Sequence, residues 1–197
     1  MKKSLFLLIF IPLISFGQSS TEYFNSGLEK MKNRDYEGAI TDYTKSIELD
    51  SYYADAYINR GIAKNKLRNH SGAIADFTKA IELEPNNTYP YITRGWSKNT
   101  LKDYYGAIVD FNKAIELNPD DDAYYNRGRS KHSLKDYSDA IADYTKAIEL
   151  NPSPHSYSNR GNAKEKLGDL DGACSDWRKA VNLGDTNAKK RVANKCN

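Results

Sequence analysis

From residue 21 to about residue 184, apolar positions recur three and four apart, in short stretches separated by polar breaks. That spacing predicts a series of helices, each with one apolar stripe. The stretch 57–66, YINRGIAKNK, is followed after a break by 70–83, HSGAIADFTKAIEL, and a closely similar pair returns at 124–133 and 137–150. Each break carries an Asp or Asn, at Asp35, Asn69, Asp103, Asp136 and Asp169. These side chains can accept from the free amides that open a helix. The second helix of each pair is expected to end near Leu49, Leu83, Leu117, Leu150 and Leu183. Pro85, Pro119 and Pro152 follow in the middle units, where a helix cannot continue.

Glycine sets the register, at Gly27, Gly61, Gly95, Gly128 and Gly161, in steps of 34, 34, 33 and 33 residues. A tyrosine stands four before each, an alanine twelve after, and a large aromatic sixteen after: Tyr43, Phe77, Phe111, Tyr144 and Trp177. The glycine-to-alanine distance never changes, so the one-residue deletions fall after the second helix, where they only shorten a turn. Inside a helix a deletion would rotate the apolar face by about 100°. A fixed period of this size is the mark of stacked repeats. Glycine inside a helix costs about 1 kcal/mol against alanine. Five at one slot therefore predict a close approach between that glycine and the alanine of the second helix, with the aromatic slots filling the space around them.

These slots resemble those of the tetratricopeptide repeat (TPR) family. In the third unit they are Tyr91, Gly95, Ala107, Phe111, Ala114 and Pro119; in the fourth, Tyr124, Gly128, Ala140, Tyr144, Ala147 and Pro152. The triplets Asn59-Arg60-Gly61, Asn126-Arg127-Gly128 and Asn159-Arg160-Gly161 are similar to a common variant of the family. Departures are modest: the first unit lacks the proline and has Ser46 in an alanine slot, and His70 and Leu170 replace a tyrosine. The resemblance implies an all-α, right-handed α-solenoid of five helix-turn-helix units, at about 21–51, 54–85, 88–119, 121–152 and 154–184. It also implies that first helices line a concave groove holding a peptide. Residues 18–20 form a short N-terminal segment, and 185–197 form a C-terminal capping helix, because an open solenoid end needs a cover.

Residues 1–17 fit no repeat. Lys2 and Lys3 precede an apolar run from Leu5 to Ile14, and Ser15-Phe16-Gly17 places small residues at the −3 and −1 positions. This predicts a cleaved export signal and a periplasmic or secreted protein of a bacterial cell envelope. An uncleaved anchor is the other reading, although the run is shorter than the roughly 20 residues a span needs. Without the signal the formal charge falls by its two lysines, from +3 to +1. A nearly neutral chain lacks the basic stripe of a nucleic-acid binder, and no stable membrane insertion is expected after cleavage. Cys174 and Cys196 are the two cysteines. In an exported chain they predict a disulfide pinning the cap to the last repeat, with free thiols as the alternative.

No catalytic constellation emerges. His70, His132 and His155 occupy three different slots, and no pair has metal-ligand spacing. Asp42, Asp76, Asp110, Asp143 and Asp176 share one slot of the second helix, and Arg60, Arg94, Arg127 and Arg160 one slot of the first. A group present in almost every repeat is structural, so these are expected to pair across helices. The expectation is a non-enzymatic protein with no cofactor, no metal and no small-molecule substrate.

Specificity is expected where the repeats differ. Asp55, Ile58, Ile62 and Asn65 form a stripe of the second unit that becomes Tyr89, Ile92, Trp96 and Asn99 in the third and Asp122, Tyr125, Arg129 and His132 in the fourth. Aromatic anchors with a polar margin suit a protein interface. The expected partner-binding set is Ile58, Asn59, Ile62, Asn65, Tyr89, Ile92, Trp96, Asn99, Tyr125, Asn126, Arg129 and His132, with a protein or peptide as partner. Two alternatives stay open within it: the isoleucines could pack against neighbouring helices, and Asn59, Asn126 and Asn159 could tie repeats together rather than hold a main chain. The family's chaperone-tail carboxylate clamp is not expected, because its cation slots hold Tyr89 and Thr93. A structural or self-assembling envelope role, drawing on Tyr52, Tyr53 and Tyr105, is the second hypothesis, with a monomer or weak self-association expected. A glycan-binding role, suggested only by 15 tyrosines, is the third.

Overall fold

Each polar break opens a helix. The side chains of Asp35, Asn69, Asp103, Asp136 and Asp169 accept from the backbone amides of Gly38, Gly72, Gly106, Asp139 and Gly172. The computed structural model describes residues 18–196; the expected export signal at 1–17 lies outside them, as does Asn197. The described residues form eleven helices: α1 (Ser20–Lys32), α2 (Tyr36–Leu49), α3 (Ala54–Lys66), α4 (His70–Leu83), α5 (Thr88–Thr100), α6 (Tyr104–Leu117), α7 (Asp121–Ser133), α8 (Tyr137–Leu150), α9 (Pro154–Lys166), α10 (Leu170–Asn182) and α11 (Thr186–Lys195). There is no strand among the described residues.

Every helix packs on the next one along the chain, which makes a linear stack of five pairs closed by α11. The odd-numbered helices α1, α3, α5, α7 and α9 also touch one another in sequence, so they occupy the inner wall of the α-solenoid. The turns between units span 50–53, 84–87, 118–120 and 151–153. The two shorter turns are the two 33-residue steps, so the deletions lie outside the helices.

The turn inside each unit is closed by a left-handed residue at Arg34, Arg68, Lys102, Lys135 and Gly168, with φ of 61, 62, 65, 66 and 85°. The next amide then reaches back five residues, as Asp103 N does to Lys98 O at 2.9 Å. This hydrogen bond satisfies a carbonyl that the helix end leaves free.

The core corrects one expectation. The repeat alanines Ala39, Ala73, Ala107, Ala140 and Ala173 are fully buried, as are the aromatics that follow them. Yet what crowds the helix glycine is chiefly the aromatic ring of its own unit, not the alanine. A Cβ at Gly27, Gly61, Gly95, Gly128 or Gly161 would come within 2.5 to 2.9 Å of Tyr43, Phe77, Phe111, Tyr144 or Trp177. At Gly128 and Gly161 the alanine carbonyl also closes in, at 3.3 and 3.1 Å.

Between the paired helices runs a ladder of buried charge. Arg60, Arg94, Arg127 and Arg160 each grip Asp76, Asp110, Asp143 and Asp176 through Nε and Nη2, at 2.6 to 3.0 Å. Nη1 of each donates back to the preceding unit, at Thr44, Thr78, Asn112 and Thr145. The arginine thus joins its own pair and stitches it to its neighbour. In the first unit Ser26 holds the arginine slot, and Asp42 takes Ser26 Oγ and Lys30 Nζ instead, both at 2.6 Å. Burial works against the charge on Asp176, but bonds from Arg160 and Lys164 outweigh it and hold the carboxyl below its ordinary value.

The cap is fastened at both ends. Asp185 accepts from the amides of Asn187 and Ala188 at the start of α11. Ala188 is buried with Trp177 and Ala180, and Val192 packs against them. Cys174 and Cys196 are joined by a disulfide with their Cα atoms 5.6 Å apart. Among the described residues no helix is long and apolar enough to cross a membrane.

Candidate functional site

The inner wall opens between α3 and α5 into a cavity of about 220 Å³. Ile62, Asn65 and Lys66 line it from α3, and Tyr89, Thr93 and Trp96 from α5. Tyr89 is 50% exposed and Trp96 39%, unusual for large aromatics in this chain. The floor is fixed: Asn65 Nδ2 donates to Ser97 Oγ at 2.8 Å, and His70 Nδ1 donates to Asn65 Oδ1 at 3.0 Å. His70 also meets the Trp96 ring edge-on, with centroids 5.7 Å apart. Four of the expected residues, Ile62, Asn65, Tyr89 and Trp96, therefore converge on one opening.

The same polar tie recurs one unit on. Asn99 Oδ1 accepts from Ser130 Oγ at 2.8 Å, and Asn99 Nδ2 donates to Asn126 O at 3.4 Å. Asn65 and Asn99 thus lock adjacent first helices together and leave limited capacity for a ligand. Tyr125 is half-buried, its hydroxyl accepts from Asn159 Nδ2 at 2.9 Å, and its ring lies 6.0 Å from that of Tyr144. Burial pushes the Tyr125 hydroxyl pKa up, partly offset by Arg129 and Asn159. Arg129 lies over the Tyr125 ring at 5.9 Å and is itself exposed. His132 stacks edge-on against Tyr137 at 5.1 Å, and burial, with Lys166 nearby, lowers its pKa.

Two of the expected groove residues belong to the wall. Ile58 is only 5% exposed and packs with Ala73, Phe77 and Ala80. Asn126 is 8% exposed and donates to Asp122 O at 2.8 Å within its own helix. Asn59 likewise donates to Asp55 O at 2.9 Å, and Ile92 is half-buried against the cluster around Tyr91 and Ala114. The asparagines therefore do not form a free row. Lys66 and Thr93 line the opening without having been expected there; Thr93 occupies the slot of Asn59, one position off the variable stripe.

Among the described residues no group of three His, Cys, Asp or Glu side chains could hold a metal ion.

Comparison with known proteins agrees with this architecture. A family profile described as tetratricopeptide repeat matches residues 54–87 and 122–154, and a second of the same description matches 23–53 and 89–121. A crystal structure of MamA protein shares 27% identity over 86% of this chain and 94% of its own, with a TM-score of 0.78. A MamA structure from Desulfovibrio magneticus RS-1 shares 20% identity over 86% of this chain and 99% of its own, with a TM-score of 0.80. The structure of YrrB, described as a TPR protein with an unusual peptide-binding site, shares 21% identity over 89% of this chain and 92% of its own, with a TM-score of 0.75. At their level of identity the last two speak to the fold alone. No curated protein matches the chain.

Proposed function

Because this chain belongs to the tetratricopeptide repeat family, we propose that it is a non-enzymatic interaction module that binds an extended segment of a partner protein along its inner wall. The observation that carries this reading is the opening between α3 and α5, where Tyr89 and Trp96 stay exposed beside Ile62 and Lys66. Large aromatics set beside a polar margin are what interface anchors are made of, because they bury much area at small entropic cost. YrrB, which shares the fold and is described as having an unusual peptide-binding site, supports a peptide as the class of partner. Arg129 extends the surface onto α7, while Ile58 and Asn126 hold its shape from behind.

The setting we propose is an exported one, in the periplasm or outside the cell. The signal-like pattern of 1–17 and the Cys174–Cys196 disulfide support it, because such bonds persist in oxidising compartments. The near-neutral charge expected after export argues against nucleic acid as partner.

The test is a pull-down from an envelope fraction with the wild-type protein beside a Tyr89→Ala/Trp96→Ala variant of equal helicity. A protein retained by the first and lost by the second supports the groove. Equal retention moves the interface elsewhere.

A second reading is self-assembly, which the exposure of Tyr52 and Tyr105, 81% and 74%, favours. A single monomeric species in light scattering at micromolar concentration would remove it.

A further inference from the structure

A second cavity, of about 480 Å³, lies at the C-terminal end of the solenoid between α9 and the cap. His155, Asn159 and Asn162 border it from α9, and Asp185, Lys190 and Arg191 from the cap. We propose that this cavity binds a carboxylate of the peptide held on the inner wall, with Lys190 and Arg191 as the charge partners and the Asn162 amide as a donor. The inference rests on the peptide-groove reading and supplies one end of that groove.

The argument is one of committed and uncommitted groups. Asp185 is the one acid at the cavity, and its charge is already used. Its Oδ1 accepts from the amides of Asn187 and Ala188, at 2.8 and 3.1 Å. Burial raises its pKa, but the Ala188 amide, the Ser158 hydroxyl, the Asn187 amide and nearby His155 bring it below the ordinary carboxylate value. Glu165, lower on α9, is paired with Lys195. Lys190 and Arg191, in contrast, form no ion pair among the described residues.

Asn162 is oriented by its other end. Its Oδ1 accepts from Trp177 Nε1 at 3.1 Å, which leaves the NH2 group as the free polar end. Asn159 gives one of its two Nδ2 protons to the Tyr125 hydroxyl. The cavity thus offers two cations and an amide donor against a neutralised acid. A guanidinium beside an ammonium suits a carboxylate, because the fork can bind both oxygens. Neither cation lies on a repeat slot: both come from α11, which the disulfide and buried Ala188 hold against α10.

The test is a nitrogen-15 NMR titration of the disulfide-bonded full chain with small probes. N-acetylglycine carries a terminal carboxylate, N-acetylglutamate α-amide a side-chain carboxylate, and N-acetylglycinamide neither. Saturable shifts of the Asn162 side-chain amide and the α11 backbone are expected with one or both carboxylates and not with the neutral amide. The tighter of the two identifies the source. The Lys190→Gln/Arg191→Gln variant, with unchanged helicity, should bind at least about tenfold more weakly, since each charged hydrogen bond is worth that much. Equal shifts with the neutral amide, no shift at all, tenfold preference for inorganic phosphate, or an unaffected variant would overturn the proposal. N-acetylphenylalaninamide, read at the Trp96 indole, tests the groove separately. Silence there with carboxylate binding intact counts against the groove and not against this site.

Discussion

Arg94 on α5 and Asp110 on α6 stand sixteen residues apart and meet through two parallel hydrogen bonds of 3.0 and 2.7 Å, with Lys98 adding a third cationic contact at 2.8 Å. Asp110 is 2% exposed, so this is a buried pair whose partners satisfy each other. Nη1 of the same arginine reaches Thr78 of the preceding unit at 3.0 Å. One side chain therefore fixes both the angle within a unit and the stacking between units.

Removing one partner strands the other. Arg94→Met leaves Asp110 buried with Lys98 alone, and a loss of about 3 kcal/mol is expected, within the range for broken buried pairs. Urea unfolding measures it. The double variant Arg94→Met/Asp110→Leu should recover part of the loss, because apolar side chains tolerate that burial.

Tyr43 carries an opposite opportunity. Its ring is fully buried over Gly27, and its hydroxyl has no hydrogen-bond partner. Burial, with Asp42 adding to it, pushes that hydroxyl up to about 12. The same slot is Phe77 and Phe111 in the next units. Tyr43→Phe removes a stranded polar group and should stabilise by about 1 kcal/mol, seen as a higher denaturant midpoint at unchanged slope.

The disulfide closes a loop of 22 residues. Cys196→Ser should cost about 3 kcal/mol on the loop-entropy account. The loss should concentrate in the cap, so hydrogen exchange should rise first in 186–195 while α3 to α8 stay protected.

Acid should weaken the fold in two steps. The pKa of His132 is lowered by burial from its ordinary 6.5, so the unfolded chain binds its proton more readily than the folded one. Stability is present above pH 6.5 and is lost as pH falls below that value, and His132→Gln should flatten this limb. Asp42, Asp176 and Asp185 are also lowered, from 3.8. Their contribution is complete above pH 3.8 and is lost at lower pH. Unfolding midpoints across pH 3 to 8 resolve the two limbs.

The repeat made the fold readable because its packing slots are written in four or five units. The caps at Asp35 and its equivalents, the Arg–Asp ladder and the deletions in the turns all followed from fixed offsets. The left-handed turn residue did not, because Arg34, Arg68, Lys102 and Lys135 look like ordinary surface cations, and only Gly168 displays the backbone it needs. At the groove, variation between units points to positions free of repeat packing, with inward packing of the isoleucines as the open alternative. Tyr89 and Trp96 are exposed, whereas Ile58 takes the packing alternative and fills a space against Phe77. The cap is written once, so no offset could place Lys190 or Arg191 beside α9.

The central claim is that the inner wall at α3 and α5 binds an extended peptide. The most direct measurement selects binders from a displayed library of random twelve-residue peptides and compares their affinity, by calorimetry, for the wild-type protein and the Tyr89→Ala/Trp96→Ala variant of equal helicity. The account predicts at least about a tenfold loss, as expected when two central anchors are truncated. Unchanged affinity across the selected peptides would contradict it.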